Sequence, residues 1–208
     1  MGWESIFKKS GKVFYKPHED MNKIINLFKK EGVKKILDVG CGSGRHIVLL
    51  SKEGFDVYGM DNAESGLKRT RKWLKELGLK AKLKNASCYK TFLYKDNTFD
   101  AIIFTQVIHH AKLKEINFCI SEIKRVLKPN GLVFITVTKN KMKGRASKVK
   151  IIEPRTYVML DGPEKGVPHY IYTKTLFKKY FKNFNIFSIY TDKYNHYCLI
   201  GKLKEIAP

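Results

Sequence analysis

Asp38, Gly40, Gly42, Gly44 and Asp61 are the residues of this chain whose types and spacing can act together on a ligand. The run Ile36-Leu37-Asp38-Val39-Gly40-Cys41-Gly42-Ser43-Gly44-Arg45-His46 ends a short apolar segment in an acid. A glycine then stands at every second position, and an apolar helix begins. Glycine tolerates positive φ and lets a ligand lie against bare backbone, with the first N–H groups of the helix pointing at it. Asp61 lies 21 residues beyond Gly40, at the end of the next apolar run. A carboxylate at that spacing offers two acceptor oxygens to the cis-diol of a ribose. A dinucleotide fingerprint wants its third glycine one position later, where this chain has Arg45. A P-loop is excluded, because no glycine–lysine–serine/threonine step follows.

The elements that must hold these groups alternate. Met21, Ile24, Ile25 and Phe28 fall at helical spacing behind Asp20 as N-cap, so residues 1–31 read as a helical lead-in stopped by Gly32. A strand over 34–39, a helix over 44–53 and a strand over 56–60 follow. Next comes a helix over 64–77, buried through Leu67, Trp73, Leu74 and Leu77, and a weaker strand over 80–85. Phe99 to Phe104 is a buried strand, 112–127 a helix ended by Pro129-Asn130-Gly131, and Leu132 to Val137 a fifth strand. Beyond it the basic loop 139–150 is expected to be mobile, and 151–172, with Pro154, Pro163 and Pro168, ordered but irregular. A helix over 173–182 and strands over 184–190 and 196–203 close the chain. Such alternation implies a parallel sheet with right-handed crossovers, which binds ligands at the carboxyl ends of its strands.

The acid-then-alternate-glycine run resembles motif I of the class I S-adenosylmethionine (SAM) dependent methyltransferases. Three further segments carry the likeness across residues 33–137. Val57-Tyr58-Gly59-Met60-Asp61 is similar to motif II, and Asp96-Asn97-Thr98-Phe99-Asp100 to the segment before the fourth strand. Arg125-Val126-Leu127-Lys128-Pro129-Asn130-Gly131 is similar to the family's R-V-L-K-P-G-G turn, with Asn130 replacing a glycine. The resemblance implies an α/β, Rossmann-like fold in one domain of 208 residues: a mostly parallel seven-stranded sheet, an antiparallel last strand, and helices on both faces. It divides the chain into a helical lid (1–31), a SAM-binding core (33–137), a substrate-covering insertion (139–172) and a C-terminal helix with strands (173–208).

By the same likeness Gly40, Gly42 and Gly44 cradle SAM, which leaves as S-adenosylhomocysteine. Asp38 orients the loop or the amino-acid end, and Asp61 takes the ribose hydroxyls. Cys41, Asn62 and Gln106 belong to the same cofactor site. The family commonly has an acid after strand three for the adenine amine. Here Asn85-Ala86-Ser87-Cys88 stands there, and the adenine contact is assigned to Ala86, Ser87 and Cys88. Gln106-Val107-Ile108-His109-His110 follows strand four, where the family places residues nearest the methyl group. Extended geometry would turn His110 toward the site as a base. The segment Gly162 to Tyr170, with His169 and Tyr170, is expected in the acceptor pocket. His18 and Tyr15 can close over the cofactor, while His46 reads as a capping or packing residue. No spacing supports a metal made from His18, His110, His169 and His196, and none is expected.

Charge bears on the acceptor. Lysine and arginine number 41 against 19 acids, for a net charge of +22, and only six of the cations are arginine. Such a field draws polyanions, yet bidentate phosphate recognition favours arginine. Two acceptor classes therefore stay open: a small molecule, and RNA drawn by the lysines around 139–150. The Val-Ile-His-His segment is similar to that of tRNA wobble-uridine methyltransferases. A non-catalytic SAM-binding protein is a third reading. No apolar run approaches the length of a membrane span, no signal-peptide core is seen, and the four scattered cysteines read as reduced thiols. Cytoplasm is the expectation; the oligomeric state is left open.

Overall fold

A computed structural model describes residues 2–9, 14–139, 148–162 and 164–205. Two helices, α1 (Trp3–Lys9) and α2 (Met21–Lys30), precede the first strand, β1 (Lys35–Val39). Then follow α3 (Arg45–Lys52), β2 (Asp56–Asp61), α4 (Glu64–Glu76), β3 (Lys82–Asn85), β4 (Phe99–Thr105), α5 (Leu113–Val126) and β5 (Leu127–Thr138). A second group comprises β6 (Val149–Glu153), β7 (Thr156–Met159) and β8 (Pro168–Tyr170). The chain continues through α6 (Lys174–Tyr180), β9 (Phe184–Thr191) and β10 (His196–Leu203).

Seven strands form one sheet in the order β3-β2-β1-β4-β5-β10-β9. β10 runs antiparallel to both neighbours, and the pairs among β1 to β5 are parallel. Alternation along each strand supplies two cores. Leu37, Val39, Ile102, Phe104, Val133 and Ile135 pack beneath α5 and α6 on one face. Ile36, Ala101, Ile103, Leu132 and Phe134 pack beneath α2, α3 and α4 on the other. A period of two in buried strands makes both faces apolar, so helices cover both. The chain winds outward from β1 to β3, then returns to add β4 and β5 on the opposite side. The carboxyl ends of β1 and β4 thus flank the switch point where such sheets bind ligands.

Several sequence expectations are corrected. Segment 151–172 is not irregular: β6, β7 and β8 form a three-stranded antiparallel sheet, with Lys150 opposite Val158 and Tyr157 opposite His169. The register slips between Ile151 and Glu153, Arg155 takes φ 68°, and β8 opens on a proline, so no clean alternation survives in the sequence. β5 begins at Leu127 rather than 132, because Leu127 pairs with Phe99 before the turn and Leu132 with Ala101 after it. Asp20 precedes α2, but its carboxylate does not cap; it accepts from the Tyr190 hydroxyl at 2.6 Å. Leu77 is exposed, and its place on the buried side of α4 falls to Thr70. Of the basic loop, residues 140–147, including Lys141, Lys143 and Arg145, lie outside the described residues, as does Pro163.

Candidate active site

The glycine loop is held from three sides. Gly40 and Cys41 N–H both donate to the Met60 carbonyl (2.7 and 3.1 Å), tying the end of β1 to β2. The three glycines have φ of 70°, 53° and 88°. Thr70 of α4 donates through Oγ1 to the Gly42 and Gly66 carbonyls (3.0 and 3.1 Å), so α4 clamps the loop. At Gly44 the clamp is tight: a Cβ there would lie 2.5 Å from Thr70 Cγ2, in a φ region that L side chains rarely enter.

Asp61 closes the loop's far side. Its Oδ2 accepts from Gly42 N–H and its Oδ1 from Ala63 N–H, each at 2.8 Å. Burial raises its pKa, and those N–H groups partly counter the rise. Each oxygen retains a second lone pair for a diol. Asp38 lies beneath the loop, 1 % exposed, with Oδ2 lacking a hydrogen-bond partner among the described residues. Burial drives its pKa well up, against the pull of Arg45, with Asp61 adding to the rise. Its nearest imidazole is His46, at 3.9 Å. His46 accepts the His18 N–H at Nε2 (3.1 Å), so its proton sits on Nδ1, facing Thr105 Oγ1 at 3.3 Å. Burial, then Arg45 and His18, hold its pKa well below the usual range. His46 thus carries no charge and joins α3 to the segment before α2.

Loop and acid open on a cavity of about 710 Å³. Gly40, Cys41, Gly42, Asp61, Asn62, Ala86, Cys88, Gln106 and His110 line it, as do Tyr15 and His18. Asp38, Gly44, Ser87, His169 and Tyr170 do not. Ser87 Oγ accepts the Tyr89 N–H at 3.2 Å, turned into its own loop. Tyr170 bonds the Tyr180 hydroxyl at 2.8 Å inside the core, and its N–H donates to the His109 carbonyl at 2.7 Å. His169 is 1 % exposed, with Val167 O on Nδ1 and Glu164 Oε2 on Nε2, both at 2.9 Å. Its ring stands 4.6 Å from that of His110. His169 and Tyr170 therefore back the wall without forming it.

The 106–110 segment is a turn rather than an extension of β4. Gln106 takes φ 60°, and His110 N–H donates to Val107 O at 2.9 Å. Both His109 and His110 consequently reach the cavity. His110 donates Nε2–H to the Gln106 carbonyl (3.1 Å), which leaves a buried Nδ1 as its acceptor. Burial, with the His169 ring beside it, lowers the His110 pKa to about 3. It is a neutral wall group and a poor base at physiological pH.

Helix α1 roofs the loop. Phe7 would sit 2.9 Å from a Cβ on Gly42, and Trp3 packs edge-on to His110 at 5.0 Å. Glu4 fixes the helix by accepting from Ser65 N–H and Oγ, each at 3.0 Å. The β9–β10 connection adds Asp192, Tyr194 and His196 to the lining. The sequence gives no periodic signal for these, since a turn between two edge-side strands has none. It equally hides the approach of His18, Asp20 and Cys198, whose ligand atoms fall within 4.8 Å of one another. His18 Nδ1 there already accepts the Asp20 N–H (3.2 Å), and burial drives the Cys198 thiol pKa far up, so the trio is occupied by its own hydrogen bonds.

Behind the loop that follows β3 stands Arg125. Its guanidinium donates to the Phe92 and Tyr94 carbonyls (3.0 and 2.9 Å), to both Glu122 oxygens (2.8 and 2.7 Å) and to Asp96 (2.7 Å). Glu122 in turn accepts the Phe92 N–H at 2.6 Å. These bonds pin the segment that carries Ala86, Cys88 and Tyr89 into the cavity.

A family model described as a methyltransferase domain matches residues 37–135. A ubiquinone biosynthesis O-methyltransferase of Rickettsia canadensis is 29 % identical over 123 residues, covering 59 % of this chain and 50 % of that one. The chain spans about half the length of the curated relatives it matches. A protein of Pyrococcus horikoshii OT3 superposes with TM-score 0.74 at 26 % identity, over 92 % of this chain and 97 % of the other. A SAM-dependent methyltransferase of Methanosarcina mazei does so with TM-score 0.76 at 20 % identity, over 91 % and 100 %. Residues 37 to 135 thus match a methyltransferase domain, and the fold superposes on that of a solved SAM-dependent methyltransferase.

Proposed function

We propose that this chain transfers the methyl group of SAM to a nucleophile on a small molecule held in the cavity. One observation carries the reading: the glycine loop and the Asp61 carboxylate open, at the switch point of the sheet, on the same cavity that the lid and the 106–110 turn enclose. The residues fit the cofactor. The backbone of Gly40 and Gly42 lines the cavity and takes its tail, with Gly44 holding the loop's shape and the Asp38 carboxyl buried beneath it. The spare lone pairs of Asp61 suit a ribose diol, and Ala86 and Cys88 present an apolar wall to a purine. When bound, the cofactor supplies an electrophilic methyl group on a sulfonium. The chain's part is orientation: loop, lid and turn align the acceptor with the methyl carbon and the sulfur and keep water out.

The volume suits a small ligand site, which spans roughly 300–1,000 Å³. The named relative, an enzyme of ubiquinone biosynthesis, favours a small acceptor too. The RNA alternative gains nothing from these likenesses, and of the basic loop only Lys139, Lys148 and Lys150 lie among the described residues. No described helix is long and apolar enough to cross a membrane, and all four cysteines are unpaired and buried, as a reducing cytoplasm would leave them. Calorimetry with SAM and S-adenosylhomocysteine tests the proposal, with heat expected for both. Asp61→Ala should raise the SAM Kd at least tenfold, or about 1.4 kcal/mol. No heat from the folded wild-type chain refutes the reading.

A further inference from the structure

The wall of the cavity carries a second imidazole cluster, gathered around Asp192. His18 comes from the segment before α2, Asp192 from the turn between β9 and β10, and His196 opens β10. His196 pairs with Thr138 at the carboxyl end of β5, two strands from the glycine loop and on the ligand-binding edge of the sheet. All three residues line the cavity.

Their hydrogen bonds fix the protons. Asp192 Oδ1 accepts the Tyr194 and His196 N–H groups at 2.9 and 2.8 Å, which holds the turn. Its Oδ2 faces two rings, His196 Nδ1 at 2.9 Å and His18 Nε2 at 3.1 Å. His18 Nδ1 is taken by the Asp20 N–H, so its Nε2 carries the hydrogen donated to Asp192. His196 Nδ1 likewise donates to the carboxylate. Its remaining nitrogen, Nε2, is then an acceptor, without a hydrogen-bond partner among the described residues. His196 keeps partial solvent access, its side chain being 14 % exposed. His110, by contrast, presents only a fully buried lone pair.

We infer that His196 is the base of the methyl transfer, with Asp192 and His18 as positioning residues, and that the acceptor is a small molecule whose nucleophilic atom carries a proton. This rests on the proposed methyltransferase reading and deepens it. The acceptor's X–H proton moves to His196 Nε2 as the lone pair of X forms the bond to the methyl carbon. The sulfur–methyl bond breaks with its electron pair left on sulfur, so the neutral thioether departs. The imidazolium, facing the Asp192 carboxylate, returns its proton to water. A carboxylate on the distal nitrogen selects the tautomer and stabilises the imidazolium, as in hydrolase triads.

The charged and titratable groups around His196 fit this part. Asp192 and Tyr194 face it from its own turn, and His18 faces it from the N-terminal segment with Cys198 3.8 Å behind. Lys193 is drawn off to Glu19 at 2.6 Å, and the Lys139 ammonium lies over Tyr197. Burial pushes the Asp192 carboxyl up, but the N–H and ring of His196, with the His18 ring, outweigh it and hold the group below its usual range. Asp192 is therefore ionised at neutral pH, facing both rings.

Two measurements decide the matter. Nitrogen-15 NMR of the chain with S-adenosylhomocysteine should show His196 protonated at Nδ1 and bare at Nε2. Asp192→Asn should reverse this, because its amide donor faces the ring. A wild-type hydrogen on Nε2 overturns the inference. The second measurement follows transfer from methyl-labelled SAM to catechol, aniline and thiophenol as probes. His196→Gln should lower kcat on the accepted probe at least about a hundredfold and remove the acid-side fall of the pH profile. The SAM Kd should stay within twofold. Undiminished turnover, or no turnover of any probe by a wild-type chain that binds SAM, overturns the inference and leaves the methyltransferase reading standing. Absence of SAM binding removes that reading instead.

Discussion

Arg125 shows how a surface turn motif controls a site on the opposite edge of the sheet, and its removal makes a quantitative test. Arg125→Ala deletes the donors to the Phe92 and Tyr94 carbonyls and leaves Glu122, whose side chain is 9 % exposed, with only the Phe92 N–H. The ion pair with Asp96 counts for almost nothing, since that carboxylate is 70 % exposed. Each carbonyl bond to a charged donor contributes about 1.5 kcal/mol at the low end of its range. The Glu122 pair adds about 1 kcal/mol after discounting for the solvent that reaches its guanidinium, which is 28 % exposed. Because one group makes all these bonds, they do not sum fully, and a loss of about 3 kcal/mol is expected. In a chain of this size that lowers Tm by roughly 6–12 °C. Arg125→Lys should recover little, because an ammonium cannot reach the five acceptors that the guanidinium fork spans. Urea unfolding gives the stability, and SAM calorimetry on the folded fraction should show weakened binding through the loosened 86–92 segment. A cost below about 1 kcal/mol, or full rescue by lysine, would refute the account of the guanidinium as the loop's staple.

Three further outcomes are expected. Gly44→Ala forces an L residue to φ 88° against buried Thr70 and should cost about 3 kcal/mol, read by denaturant titration. Asp38→Asn should stabilise the chain at neutral pH while weakening SAM binding. The raised folded pKa means that charging buried Asp38 works against folding as pH rises, and a lower Tm at pH 7 would contradict this. His46 and His110 have folded pKa values below the unfolded one, so their contribution is complete above about pH 6.5. It falls by about 1.4 kcal/mol per histidine per pH unit below that, until pH about 3 for His110. His110→Asn should flatten that acid limb in pH-dependent unfolding.

The sheet and its ligand edge were legible because their signals are local. Buried strands such as Phe99 to Phe104 are continuous apolar runs. The amphipathic spacing of α2 and α5, the glycines after β1 and the acid ending β2 each need only a few neighbouring residues to be read. The strands of 149–170 were not legible, because a bulge, a positive φ at Arg155 and the proline opening β8 break every period.

The sequence by itself determined the fold class, the glycine loop and the acid beside it, because chain geometry turns those spacings directly into position. Tertiary structure alone decided which histidines face the cavity and with which proton. Burial, not residue type, disarms His110. The register of β10 against β5, joined by a segment 174 residues away in the chain, brings His18 and Asp192 to His196. Protonation and orientation depend on what lies around a ring in space, and no spacing along the chain encodes that.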